Sequence, residues 1–295
     1  MDLFQKCHDF TDAIALREQG AYPYFIPLDK NEGTEVIYEG RRIIMCGSNN
    51  YLGLTTHPKV RQAAIDAIAE YGTSCTGSRF LNGNMTMIED LEKELAAWVG
   101  KEAALVFSTG MQTNLGTISA LVGKDDIIIM DKEDHASIVD GAFLSGGKIE
   151  RFRHNDMDHL ERVLKSLPEE KGKLLVVDGL FSMEGDIAPL PRMVELCAEY
   201  GVRLMVDDAH AFGVLGGGRG TAAHFSLTDK VDLIMSTFSK SMASIGGFIA
   251  GDFAVVDYIK HHARSLIFSA SIPPANTATV LAALQVMKEE PERIE

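Results

Sequence analysis

Cysteine is scarce: Cys7, Cys46, Cys75 and Cys197 are scattered over 295 residues with no C-x-x-C pair among them. That spacing excludes a disulfide framework and a structural zinc site, and no metal is expected. Positive charge is scarce too, since 28 Lys and Arg face 42 Asp and Glu, for a formal net charge of -14 at pH 7. Nucleic acid is therefore a disfavoured partner, because phosphate backbones are bound by clustered cations that displace counterions. No run approaches the roughly 18 apolar residues of a membrane span, and the opening "MDLFQKCHDF" lacks the basic and apolar regions of a secretion signal. The expectation is a cytoplasmic protein with no transmembrane segment, with peripheral membrane contact left open.

Whole catalytic signatures are missing as well. "LMVDD" has the look of a Walker B strand, yet no G-x-x-x-x-G-K-[ST] accompanies it, and "GTSCTGSR" lacks the lysine that would meet phosphate. "GGGRG" has the wrong spacing for a dinucleotide fingerprint, and "GLFSMEG" is not the G-x-S-x-G of a nucleophile elbow. P-loop NTPase, Rossmann dehydrogenase and serine hydrolase chemistry all drop out.

What remains is ordinary globular composition, 46% hydrophobic and 24% charged, on a chain long enough for one large α/β domain. From about residue 103, short β-branched runs ("AALVF", "DIIIM", "KLLVVDG", "VRLMVDD", "VDLIMS") alternate with helical stretches such as "MDHLERVLKSLP". Alternation of this kind predicts βαβ units and a mostly parallel sheet with helices on both faces. "GGFIAG" follows its predecessor closely enough to run antiparallel. Upstream, "TEVIYEGRRIIM" predicts a hairpin turning at Glu39-Gly40, followed by a helix from Pro58 to near Gly72. The expected divisions are 1–57 for the N-terminal helix and hairpin, 58–275 for a large domain, and 276–295 for the start of a C-terminal domain that is otherwise largely absent. In that case Leu281, Leu284 and Val286 of the last helix would lie exposed.

In such sheets ligands sit beyond the carboxyl ends of the strands. There the sequence places Thr109-Gly110, His135, Ser182, Asp207, His210 and Lys240. Lys240, in "STFSKSMASIGGF", sits among small residues, with Thr237 and Ser239 nearby and Gly246-Gly247 following. A lysine partly removed from water loses affinity for its proton and can condense as a neutral amine with an aldehyde. Pyridoxal phosphate (PLP) is such an aldehyde, and it makes further demands. Asp207 is a candidate carboxylate for the pyridinium nitrogen. His210, three residues on, is a candidate for the phenolic oxygen, and His135 for the ring face. "STGMQTN" supplies a turn into a helix N-terminus for the phosphate. His154 and His159, in "RHNDMDH", are expected to be exposed.

Taken together, "NNYLGLTTHP", "GTSCTGSRFLNGN", "STGMQTN", "DHASIVDG", "DGLFSMEGD", "VDDAHAFGVLG", "TFSKSMASIGGF" and "FSASIPP" resemble the α-oxoamine synthases among the fold-type I PLP enzymes. The resemblance covers nearly the whole chain and implies the aspartate aminotransferase-like large domain. It implies that Lys240 forms the Schiff base, that Asp207 partners the pyridinium, and that His210 and Ser182 contact the phenolic oxygen. It further implies that His135 stacks on the ring and orients substrate, and that Gly110 and Met111 form the phosphate turn, with hydroxyls from Thr237 and Ser239. By the same resemblance Ser269 and Ala270 would reach the phosphate of the neighbouring subunit, so that the site is shared across a homodimer, and Asn49 or Asn50 would face the substrate. Ile88 stands where the family usually has histidine, and the arginine that grips the substrate carboxylate belongs to the family's C-terminal domain. The implied reaction is a decarboxylating Claisen condensation of an amino acid, L-serine first, with a long-chain acyl-CoA. Alternatives are glycine with acetyl-CoA, alanine with a longer acyl-CoA as in 8-amino-7-oxononanoate synthesis, aminotransfer, and a silent subunit that keeps only the fold.

Overall fold

The computed structural model describes residues 2–295. Its compact units part between Gly47 and Ser48, where the sequence places its first boundary at residue 57. The smaller unit holds α1 (Gln5–His8), α2 (Asp12–Glu18) and an antiparallel sheet of β1 (Lys30–Glu32), β2 (Glu35–Tyr38) and β3 (Arg41–Ile44). The expected hairpin is present. Glu39 and Gly40 have φ of 48° and 74°, the doubly left-handed turn whose twist matches antiparallel strands.

The larger unit runs through α3 (Pro58–Tyr71), α4 (Thr86–Val99), β4 (Ala103–Phe107), α5 (Gly110–Leu121), β5 (Ile127–Asp131), α6 (Ala136–Ser145), β6 (Lys148–Phe152) and α7 (Met157–Lys165). It continues through β7 (Lys173–Asp178), α8 (Leu190–Tyr200), β8 (Arg203–Asp207), α9 (Thr221–His224), β9 (Leu233–Thr237) and β10 (Gly247–Gly251), then α10 (Phe253–His262), α11 (Arg264–Ile267) and α12 (Pro274–Glu289). Helix α3 has its proline in the first turn and stops at Gly72, whose φ is 79°.

The sheet order is β4-β10-β9-β8-β7-β5-β6. Strand β10 is antiparallel to both neighbours and the other pairs are parallel, as the sequence predicts. Both faces are buried, which is why the strands read as continuous apolar runs. Leu175, Val177, Leu204 and Val206 belong to one cluster with α4, α7, α8 and α12, whereas Leu174, Val176 and Met205 belong to another with α5, α6, α10 and α11.

The expected exposure of α12 is overturned for Leu284 and Val286. Both are buried, because α12 packs against α3 and α4 within the same unit; Leu281 is half-buried. Strand β4 forms one edge of the sheet, and the free groups of its Val106 are capped by side chains. Val106 donates its N–H to Glu92 Oε1 (2.7 Å) and accepts from Arg79 Nη1 (3.2 Å), while Arg79 and Glu92 form a buried ion pair.

Candidate active site

Five strand ends, those of β4, β5, β7, β8 and β9, converge on a cavity of about 330 Å³. Of the residues singled out in the sequence, Gly110, Met111, His135, Ser182, Asp207, His210, Thr237, Ser239 and Lys240 all line it. Asp207 and Lys240, far apart in sequence, therefore meet at one cavity.

The strand ends place each group. Thr109 caps α5, its Oγ1 accepting from the Gln112 N–H at 3.1 Å. The next amides, of Gly110 and Met111, have no acceptor among the described residues, as expected of a helix start. A Cβ on Gly110 would lie 2.7 Å from Thr237 Oγ1, and one on Gly247 would lie 2.9 Å from the Gly110 Cα. The glycines thus let α5 press against β9 and β10, a packing role. Thr237 Oγ1 shares a hydrogen bond with Ser239 Oγ (2.9 Å) and donates to the Gly246 carbonyl (3.0 Å), which ties both ends of the loop carrying Lys240.

The electrostatics follow from burial. Asp207, 3% exposed, accepts from Asn114 Nδ2 (2.7 Å) and from the Ala209 N–H (2.9 Å). Burial lowers the pKa of Lys240, against the opposing pull of Asp207 and Asp178. His210 is pushed down to about 4, first by burial and then by Lys240 and His135. It is a neutral imidazole at pH 7, and its Nδ1 faces the Tyr51 hydroxyl at 2.7 Å.

Ser269, Ala270, Asn49 and Asn50 do not line this cavity. Ser269 Oγ accepts from Gln112 Nε2 (2.8 Å), and the Ala270 carbonyl accepts from Ser108 Oγ. Asn49 Oδ1 accepts from the Tyr51 hydroxyl (3.2 Å), whereas Asn50 Nδ2 donates to Thr55 Oγ1 (2.9 Å). Ile88 is fully buried in the core. His154 corrects the expectation of exposure: it is half-buried between Asp131 (3.0 Å) and Asp186 (3.3 Å), with its ring edge-on to Phe181. His159 is half-buried as well, its Nδ1 accepting from the Arg153 N–H.

Several lining residues were not singled out, chiefly Asp178, Asn114 and Ser137. Asn114 lies one turn beyond Gly110 on α5, a spacing that puts it on the same helix face. Asp178 ends the run "KLLVVD" just as Asp207 ends "RLMVD", and the two are register partners on adjacent strands.

The donor set fits PLP: a buried carboxylate with two N–H partners, an amine of lowered proton affinity, unpaired amides at a helix start, and paired hydroxyls beside them. The aminotransferase class I and II model matches residues 41–295. Serine palmitoyltransferase from Sphingobacterium spiritivorum is 54% identical over 294 residues, covering 99% of this chain and 74% of that protein. The 8-amino-7-oxononanoate synthase of Bacillus pumilus is 45% identical over 281 residues, covering 95% and 72%. A solved serine palmitoyltransferase from S. paucimobilis with bound PLP and myriocin superposes with a TM-score of 0.94 at 36% identity, covering 97% of this chain and 73% of that one.

Proposed function

Because this chain belongs to the aminotransferase class I and II family, as a PLP-dependent acyltransferase of the α-oxoamine synthase group, we propose that it condenses L-serine with a long-chain acyl-CoA, releasing CoA and carbon dioxide and yielding a 3-keto long-chain base. The observation that carries this is the convergence of Lys240 and Asp207 on one cavity. Lys240 would hold the aldehyde carbon of PLP, Asp207 its ring nitrogen and His135 its ring face. With Nδ1 of His210 engaged by Tyr51, Nε2 is left for the phenolic oxygen, beside Ser182. The amides of Gly110 and Met111 and the Ser239 hydroxyl, held in place by Thr237, would take the phosphate, joined by Ser269 and Ala270 of a second copy in a homodimer.

When bound, PLP supplies an electron sink that stabilises negative charge at the amino acid Cα. The chain supplies the proton handling. Burial lowers the proton affinity of Lys240, so Nζ can take the Cα proton and later return one. His135, exposed where it lines the cavity, would orient the substrate. Asn49, which reaches His210 through Tyr51, is the better substrate-side asparagine, since Asn50 is turned toward Thr55. A cytoplasmic location completes the proposal; among the described residues no helix is long and apolar enough to cross a membrane.

The preference for serine and a long acyl chain is supported by the 54% identity to a serine palmitoyltransferase. The 45% identity to an 8-amino-7-oxononanoate synthase favours alanine as the second reading. Measuring CoA release from long-chain acyl-CoA and from acetyl-CoA, each with serine, alanine and glycine, separates them. Serine with the long-chain thioester should be fastest, and a rate with alanine or glycine that equals it would defeat the assignment. Borohydride reduction followed by peptide mass analysis should find a pyridoxyl phosphate increment on the Lys240 peptide, absent in Lys240→Ala.

A further inference from the structure

Asp178 has no part in the chemistry described so far, yet it is 6% exposed and lines the same cavity. It ends β7 as Asp207 ends β8, and the two are register partners on parallel strands, which sets their backbones about 4.8 Å apart. Two carboxyls so placed out of water repel each other strongly if both ionise. Their partners differ. Asp207 accepts from Asn114 Nδ2 and the Ala209 N–H. Asp178 accepts through Oδ2 from the His135 N–H (2.8 Å), and among the described residues none donates to its Oδ1.

We propose that Asp178 and Asp207 share a single proton, with Asp207 the carboxylate and Asp178 the neutral acid. Asp178 is then a positioning residue that does two things. It anchors the backbone of His135 at the start of α6, and it leaves Asp207 as the carboxylate charge available at the cavity floor. Lys240 would otherwise face two anions.

The groups around Asp178 support the assignment. Asp131 at the end of β5 adds negative charge. Asp134 in the turn into α6, whose own carboxyl is pushed well up by burial, accepts the Asp178 N–H through Oδ1 (3.0 Å). His135 presents its backbone amide, and Lys240, beyond β9, is the cation of the cavity. Burial and the Asp207 charge push the Asp178 carboxyl up to about 8, with Lys240 and the His135 amide opposing.

The consequence for PLP rests on the function proposed above, but the proton itself does not, so the decisive measurement needs neither cofactor nor substrate. Infrared spectra of the chain with isotope-labelled aspartate should show, at pH 7, a protonated-carboxyl stretch that Asp178→Asn removes. In Asp207→Asn the same band should vanish at a pH lower by about one unit or more, because the repelling charge is gone. Asp178→Asn keeps the acceptor for the His135 amide and mimics the neutral acid, so its PLP affinity should stay within about threefold, whereas Asp178→Ala should lose about tenfold or more through the unpaired amide. Asp178→Asn spectra that retain every protonated-carboxyl band at pH 7 would overturn the assignment. An Asp207→Asn variant in which the Asp178 band does not move would overturn the coupling. If the asparagine variant fails to fold, Asp178→Glu takes its place: Asp134 and Asp208 also carry raised carboxyls, but moving the acid onto an unlabelled glutamate must remove the same labelled-aspartate band, and an ionised Asp178 predicts that no band is lost.

Discussion

At the residue scale, the close approach at Gly110 and the burial of Asp208 each make a prediction. A methyl group at residue 110 would press on Thr237 Oγ1 and Cβ, both under 3.0 Å away, and displace the helix start from the hydroxyls beside it. Gly110→Ala should therefore weaken PLP binding by about tenfold, roughly 1.4 kcal/mol, in an absorbance titration, even though alanine is the better helix former. Asp208 is fully buried, and burial pushes its carboxyl up to about 7. The unfolded chain releases that proton near pH 4, so between about pH 4 and pH 7 the folded state binds more protons and stability falls as pH rises. Asp208→Asn should flatten this slope, giving urea midpoints at about pH 5 and about pH 8 that lie closer together than those of the wild type; a parallel loss at both would refute it. Lys240, Asp207 and His210 were legible as polar residues within a few positions of a strand end. Asp178 ends an apolar run as well, but that it lies beside Asp207 is set by the register between two strands, which no local pattern shows.

At the scale of elements, the edge of the sheet is guarded by chemistry rather than by another strand. Val106 would present a free N–H and C=O to solvent or to another chain, but Glu92 and Arg79 occupy them and pair with each other. Glu92→Ala leaves a buried guanidinium without its partner and an amide without an acceptor. The expected loss is about 3–5 kcal/mol in denaturant unfolding, with Arg79→Met/Glu92→Leu recovering much of it because no buried charge is stranded. A change below about 1 kcal/mol would place the pair with ordinary surface ion pairs. The hairpin at Glu39-Gly40, the stop of α3 at Gly72 and the antiparallel β10 were readable because turn residues and short connections dictate them locally. The Arg79–Glu92 cap was not, since it joins a loop, a helix and a strand that only the fold brings together.

At the scale of the molecule, the continuous apolar strands announced a doubly covered sheet, and both core clusters are present. The burial of Leu284 and Val286 was hidden, because it depends on α3 lying beside α12. The cavity itself poses the larger question, since Ser269 and Ala270 do not line it in the chain that carries them. Phe268 beside them is 75% exposed, as are Phe80 (64%) and Leu81 (78%) of another loop, apolar surface of the kind that marks an interface. If a second copy supplies Ser269 to the phosphate, two defective chains should repair each other. Lys240→Ala chains lack the amine, and Ser269→Trp chains would block the partner's phosphate position, so each homodimer should be nearly inactive. In the hybrid, one site combines an intact Lys240 with the other chain's intact Ser269. Unfolding and refolding an equimolar mixture should then restore about one quarter of wild-type activity, half the dimers being hybrid with one sound site each. If the site lies wholly within one chain, mixing should restore nothing.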